Sequence, residues 1–255
     1  MRPGCRSPPI ITSLRRLALA GAAAFLVQGS GLAAEPEADA AATEQAAKWR
    51  FSAGFQATKH WASAYSGFTR PLNGKLYETG FFLRSTGGGG IYRYDRTKIP
   101  RERITGVASF SDITVGWQSI DGPLAYSLAL GLNVSSHTLS AYDPGNRVQG
   151  ARIGLKAEAT LHYRFADLWA VSGHASYAAA FTSWSARLAL MHSFSYADLG
   201  FEAAGLGNRG SRTLQLGPVA EKSLGRLFLR ASGGLSLSGS GRPSPYATVN
   251  AGYTF

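Results

Sequence analysis

The sequence predicts an all-β protein: an antiparallel transmembrane β-barrel of about twelve strands, following a cleaved signal peptide. Three observations predict it. Apolar and polar residues alternate over long stretches, as in "ARIGLKAEATLHYRF" (151–165), where Ile153, Leu155, Ala157, Ala159, Leu161, Tyr163 and Phe165 share one parity and Arg152, Lys156, Glu158, Thr160, His162 and Arg164 the other. Successive side chains of a strand point to opposite faces, so each stretch has an apolar face and a charged one. Strands of soluble proteins usually end after about 5–6 residues, so this length calls for a second solvent. The connections also alternate, short on one side and longer on the other, and the chain closes on an aromatic residue.

The first 34 residues read as an export signal. Arg2, Arg6, Arg15 and Arg16 precede "LALAGAAAFLV" (17–27), and "GSGLAAE" offers small residues for cleavage after Ala33 or Ala34. The apolar run is shorter than the ~20 residues a spanning helix requires. Cleavage removes Cys5, the only cysteine, so the exported chain carries no disulfide, thiol nucleophile or thiolate metal site. Residues 35–47, "EPEADAAATEQAA", hold no large apolar group and read as a flexible periplasmic tail, leaving 48–255 for the barrel.

From Lys48 the alternation recurs to the end. The expected strands cover 48–59, 61–70, a third from Tyr77, 107–117, 124–134, 151–165, 169–181, 184–196, 197–207, 212–221, 226–238 and 244–255. "IDGP" (120–123), "AD" (166–167), "YAD" (196–198) and "KSLGR" (222–226) are short turns of one rim. "GGGGIYRYDRTKIPRERI" (87–104) and "SAYDPGNRVQ" (139–148) are loops of the other, with "DPGN" a turn in which Pro presets φ and Gly releases it. An even strand count, unequal rims and both chain ends on the short-turn side describe a bacterial outer-membrane barrel. Closure is obligatory there, because lipid offers no water to an unpaired sheet edge. In the final "NAGYTF", Tyr253 and Phe255 are the expected signal for the outer-membrane assembly machinery, with Asn250 where a Gly is usual. A soluble sandwich or lipocalin-like barrel is the alternative; it calls for shorter strands and a core of larger residues than Ala, Ser and Gly.

Composition agrees with a β-rich chain of many turns: 31 Gly, 11% aromatic and only 16% charged residues. The formal charge of +11 is spread out, and the densest basic stretch (92–103) contains acids, so nucleic acid is excluded as a partner. By parity the lumen holds Arg84, Asp112, Arg152, Lys156, Glu158, His162, Arg164, Arg187, Glu202 and Arg230. Both signs are present, which predicts a cross-barrel ion-pair network, since buried charges must be paired. A small pore is the sharper alternative: eight strands are filled by their own side chains and sixteen leave a channel, so twelve lies between. Few rings share the lumen parity (Phe82, Phe110, Phe228, Tyr246), while Trp169, Tyr177 and Trp184 fall on the lipid side, where girdle residues belong.

Two motifs invite chemistry. "TGGGG" (86–90) lacks the Lys-Ser/Thr and helix of a phosphate loop, which leaves a flexible strand end or a packing site for bulky lumen groups. His174 and Ser176 share the lumen parity and, with Glu202 orienting the His, form the residue set of a lipid A-modifying barrel hydrolase. Their inward direction opposes that reading. No His and carboxylate cluster has metal-ligand spacing, so neither metal nor cofactor is expected.

The runs "ETGFFLRSTGGGGIYRY" (78–94), "LNVSSHTLSAYDPGNRVQGARIGLKAEAT" (132–160), "SWSARLAL" (183–190) and "EAAGLGNRG" (202–210) together resemble the bacterial cellulose biosynthesis protein BcsS family over roughly residues 50–255. The resemblance implies a non-catalytic accessory protein of cellulose biosynthesis, working with a secretion apparatus that delivers glucan to the cell surface. It supplies no catalytic residues to carry over. Contact with surface polysaccharide is expected at the 87–104 loop, through Tyr92, Arg93 and Tyr94.

Overall fold

A computed structural model describes residues 48–95, 103–239 and 243–255; the expected signal peptide (1–34) and tail (35–47) lie outside the described residues. Twelve strands follow one another: β1 (Arg50–Thr58), β2 (Trp61–Pro71), β3 (Gly80–Asp95), β4 (Arg103–Asp121), β5 (Leu124–Leu139), β6 (Gly150–Ala166), β7 (Trp169–Ala178), β8 (Ser183–Ser193), β9 (Asp198–Gly207), β10 (Arg212–Leu224), β11 (Leu227–Ser238) and β12 (Ser244–Thr254). Among the described residues one 3-10 turn, η1 (Ala180–Thr182), interrupts them between β7 and β8. Each strand pairs antiparallel with its neighbours, and β1 closes on β12 from Arg50↔Thr254 to Thr58↔Tyr246, so no edge is left open.

The barrel is inside out with respect to a soluble protein. Leu130, Ile153 and Leu155 are 71%, 73% and 72% exposed on the outer wall, whereas Gln215 and Glu202 are 0% exposed inside. In water each such outward side chain forgoes about 1.5–3 kcal/mol of burial. Hydrocarbon is therefore what the outer wall faces, and the fold is a transmembrane barrel. Rings gather on the outer wall at the rim that carries both chain ends: Trp49 stacks on Phe255 at 4.2 Å, Tyr253 meets Phe255 at 4.7 Å, and Trp169, His192, Phe194 and Tyr196 make a run of neighbours. Tyr253 and Phe255 thus stand in an interfacial girdle.

Four details depart from the sequence expectation. The 87–104 segment is mostly strand, since β3 runs through the glycines to Asp95 and β4 starts at Arg103. The glycines pair on both sides, and a Cβ on Gly88 would lie 2.5 Å from the Ala64 carbonyl oxygen and 2.8 Å from the Phe110 ring, so the run is a packing site for a lumen ring. Second, the 72–79 connection belongs to the short-turn rim yet is long, because it folds under the barrel mouth: Leu76 is buried, Gln118 Nε2 donates to the Leu76 and Glu78 carbonyls at 2.7 and 2.8 Å, and Arg50 Nη2 donates to the Tyr77 hydroxyl at 2.6 Å.

Third, the seventh strand ends at Ala178, and Phe181 turns from the lipid side into the lumen. Left-handed φ values of 55° at Phe181 and 53° at Thr182 make that reversal possible. Fourth, the lumen holds more rings than its expected four: Trp61, Tyr65, Tyr92 and Tyr94 also point inward and are buried. Inward glycines accommodate them, for a Cβ on Gly54 would fall 2.2 Å from the Tyr65 ring and one on Gly106 2.1 Å from that of Tyr92.

Candidate functional site

The interior is where polar chemistry concentrates. Residues two apart on a strand face the same way, so "LKAEAT" on β6 delivers Lys156 and Glu158 to the lumen side by side. Glu158 takes Arg84 Nη1 from β3 at 3.0 Å and Lys156 Nζ at 2.7 Å. Lys156 also pairs with Asp112 of β4, whose other oxygen accepts from Asn133. The opposite wall builds a second cluster. Glu202 on β9 takes Arg187 at 3.3 Å, Arg230, and the Ser232 hydroxyl at 3.1 Å, and Arg230 also pairs with Glu221 on β10. Each cluster sets two cations against two carboxylates, so neither leaves net charge in the low-dielectric interior. Gln56 bridges β1 and β10 through Gln215 Oε1 at 2.8 Å, and the Tyr65 hydroxyl donates to Asn250 Oδ1 at 2.9 Å.

Seven of the ten expected lumen charges meet in these clusters. Arg152 instead lies over the Phe181 ring at 5.1 Å, and His162 and Arg164 are inward and half-buried towards the chain-end rim, outside both clusters. Glu221 was missed by the sequence reading; it closes the expected tenth strand and shares parity with Gln215, which is the signal that could have found it.

Towards the rim away from the chain ends an apolar plug packs inside the lumen. Leu206 of β9, 0% exposed, packs with Trp61, Tyr92, Tyr94, Ile104 and Ala108 of β2, β3 and β4 on the facing wall. Phe181 packs with Val148 and meets the His137 ring at 4.9 Å. The "DPGN" loop folds over this layer: Asp143 Oδ2 accepts from the Tyr94 hydroxyl at 3.0 Å, and Asn146 Nδ2 donates to the same hydroxyl at 2.9 Å. Two cavities of the interior among the described residues measure about 60 Å³, beside Arg50, Tyr65 and Asn250, and about 20 Å³, beside Asp112, Lys156 and Ser183.

Of the residues expected to touch glucan, only Arg93 is exposed; Tyr92 and Tyr94 are 2% and 7% exposed inside the plug. The hydrolase set is not assembled either. The Ser176 hydroxyl pairs with Ser185 at 2.7 Å, Glu202 is taken up by arginines and Ser232, and among the described residues no hydrogen bond joins His174 to Ser176 or Glu202.

A family model described as cellulose biosynthesis protein BcsS matches residues 50–255. No curated protein matches the chain. Among solved structures, the β domain of the Bordetella autotransporter Brka is 16% identical, with 82% of this chain and 100% of that one covered and a TM-score of 0.48. LpxR from Salmonella typhimurium is 12% identical over 81% and 100%, TM-score 0.45, and the KdgM porin in complex with disordered oligogalacturonate 9% over 81% and 99%, TM-score 0.44.

Proposed function

The chain belongs to the cellulose biosynthesis protein BcsS family, and from that premise we propose that it is a non-catalytic accessory barrel of the outer membrane of a Gram-negative bacterium, supporting or anchoring cellulose export at the cell surface. It neither conducts the polymer nor processes it. One observation carries this reading: Leu206 reaches across the lumen to Trp61, Tyr92, Tyr94 and Ile104. A moving glucan needs a continuous path and rings free to stack on sugars. Here the rings are committed to one another and to the loop above, with Tyr92 and Tyr94 stacked at 6.3 Å and Tyr94 bound to Asp143.

The partners are outer-membrane lipid around the belt, the assembly machinery at Tyr253 and Phe255, and cellulose or cellulose-secretion components at the rims. The test pairs two measurements. Purified protein in planar bilayers is expected to give no steady conductance, and a deletion strain is expected to keep glucan synthesis in its membranes while losing surface cellulose. Steady pore-sized conductance, or unchanged surface cellulose in the deletion strain, overturns the proposal.

A further inference from the structure

The two rims differ in charge where they leave the apolar belt. At the chain-end rim, exposed Lys75 pairs with Glu78 at 2.7 Å, and exposed Asp121 and Asp167 share the ring of turns with exposed Lys48, Arg70, Lys222 and Arg226, so both signs are present. At the far rim Lys59, Arg93, Arg209 and Arg212 are exposed, and the exposed acid among the described residues there, Asp95, is already 3.4 Å from Arg103. No acid lies at ion-pair distance from Arg209 or Arg212 among the described residues.

Arg209 is not a loose surface arginine. Its backbone N–H donates to the Phe181 carbonyl at 3.1 Å and its Nε to Thr182 Oγ1 at 2.8 Å. Its loop is wound around buried Asn208, whose Oδ1 accepts from Gly210 N at 2.7 Å and Ser211 N at 3.0 Å. Three residues on, Arg212 opens β10 on the outer wall, in the same column as Leu214, which is 44% exposed to hydrocarbon. Beside them two rings face outward as cross-strand neighbours, Tyr177 on β7 and Trp184 on β8. Gly207 opposite Trp184 keeps that indole against the wall, since a Cβ there would lie 2.8 Å from its Nε1.

Below Tyr177 the outer wall sinks into a groove of about 550 Å³, floored by Ala157, Ala159 and Ala175 and walled by Trp117, Leu128 and Tyr177. The groove opens onto the belt, so what fills it is hydrocarbon. We infer that this corner is a site for a phosphorylated lipid: its phosphate sits between Arg209 and Arg212, its interfacial region lies against Tyr177 and Trp184, and one acyl chain occupies the groove. A guanidinium matches phosphate through two parallel N–H bonds, and at the edge of a membrane that contact is less screened than in bulk water. A neutral headgroup leaves both guanidiniums without an anion, and free phosphate leaves the groove unused. Only an anionic amphiphile satisfies both halves, which share Tyr177, the cross-strand neighbour of Trp184 and a wall of the groove. Assignment to the outer leaflet rests on the outer-membrane orientation proposed above; the site itself does not.

The test measures lipid retained by purified full-length protein, by native mass spectrometry, with bis-phosphorylated lipid A, the same lipid dephosphorylated, and inorganic phosphate as probes. Arg209→Gln with Arg212→Gln is expected to weaken retention of the phosphorylated lipid by about tenfold or more, the scale of a lost charged hydrogen bond, and to leave the dephosphorylated lipid unchanged. Ala159→Phe, which fills the groove, is expected to weaken both lipids. Lys75→Gln with Arg226→Gln at the other rim is the control and is expected to change neither. Heat-modifiable migration on gels reports that every variant is folded. Equal retention by the arginine variant and the parent, or phosphate alone competing at the affinity of the lipid, overturns the proposal.

Discussion

Arg84 on β3 and Glu158 on β6, 74 positions apart in sequence, form a 3.0 Å ion pair inside the barrel, reaching past β4 and β5. Glu158 has 2% side-chain exposure and also holds Lys156. Replacing it with an isosteric neutral group therefore leaves buried Arg84 without a carboxylate and Lys156 with Asp112 alone. Glu158→Gln is expected to destabilise the barrel by about 3–5 kcal/mol, the cost of a buried charge left without its partner. Urea unfolding in detergent micelles, followed by heat-modifiable gel mobility, measures it. The double change Arg84→Met with Glu158→Leu is expected to be milder than Glu158→Gln alone; a harsher double variant contradicts the pairing.

Gly106 and Tyr92 give a test of steric fit. A Cβ on Gly106 would stand 2.1 Å from the Tyr92 Cζ, and Tyr92 cannot move away because it is locked in the plug. Gly106→Val is expected to cost about 1–3 kcal/mol by overpacking. Adding Tyr92→Ala is expected to recover part of that loss, a coupling that a double-mutant cycle reads directly. Independent, additive effects of the two changes would disprove the contact.

The extent to which the sequence was legible follows from these same residues. Parity alone placed Arg84, Lys156, Glu158 and Glu202 inside and Leu130 and Ile153 outside, because a strand's period of two leaves no freedom once one face touches lipid. Which inward charges meet was not legible, since strand tilt decides which heights on separate walls coincide. Arg152 and Lys156 look equivalent in sequence, yet one lies over Phe181 and the other pairs with Asp112. Phe181 itself defied parity because two residues in left-handed conformation reverse the chain, and nothing in "AAAFTSW" announces that in residues other than Gly or Asn. The glycine run hid strand β3 for a related reason: its residues are small to make room for Phe110 and the neighbouring backbone, not to make a loop.

Ser176 supplies a chemical test. Its hydroxyl is engaged by Ser185 at 2.7 Å and shares the inward parity of His174. Ser176→Ala is expected to leave the acylation pattern of lipid A unchanged by mass spectrometry and to cost about 0.5–1.5 kcal/mol of stability, the net value of one hydrogen bond. Loss of an acyl-chain cleavage in cells carrying the variant would establish an esterase.

The plug makes the last prediction. Leu206 and Phe181 are both 0% exposed and come from separate elements, β9 and η1; Leu206 packs in the cluster of Tyr92, and Phe181 reaches Tyr92 through the His137 ring. Phe181 is held in a left-handed conformation that costs a bulky residue about 1–3 kcal/mol. Burial against Val148, the His137 ring and the Arg152 guanidinium offsets that strain, so the ring stays in only while those contacts persist. Phe181→Gly removes the ring and relieves the backbone together, and is expected to leave the barrel folded. Combined with Leu206→Ala it removes both seals, while the ion clusters beneath line the remaining space without spanning it as a continuous apolar layer. Planar-bilayer recordings are then expected to show ion conductance for the double variant and none for the parent or for Leu206→Ala alone. A silent double variant that still shows heat-modifiable mobility would mean that the charged clusters, not the apolar layer, close the barrel.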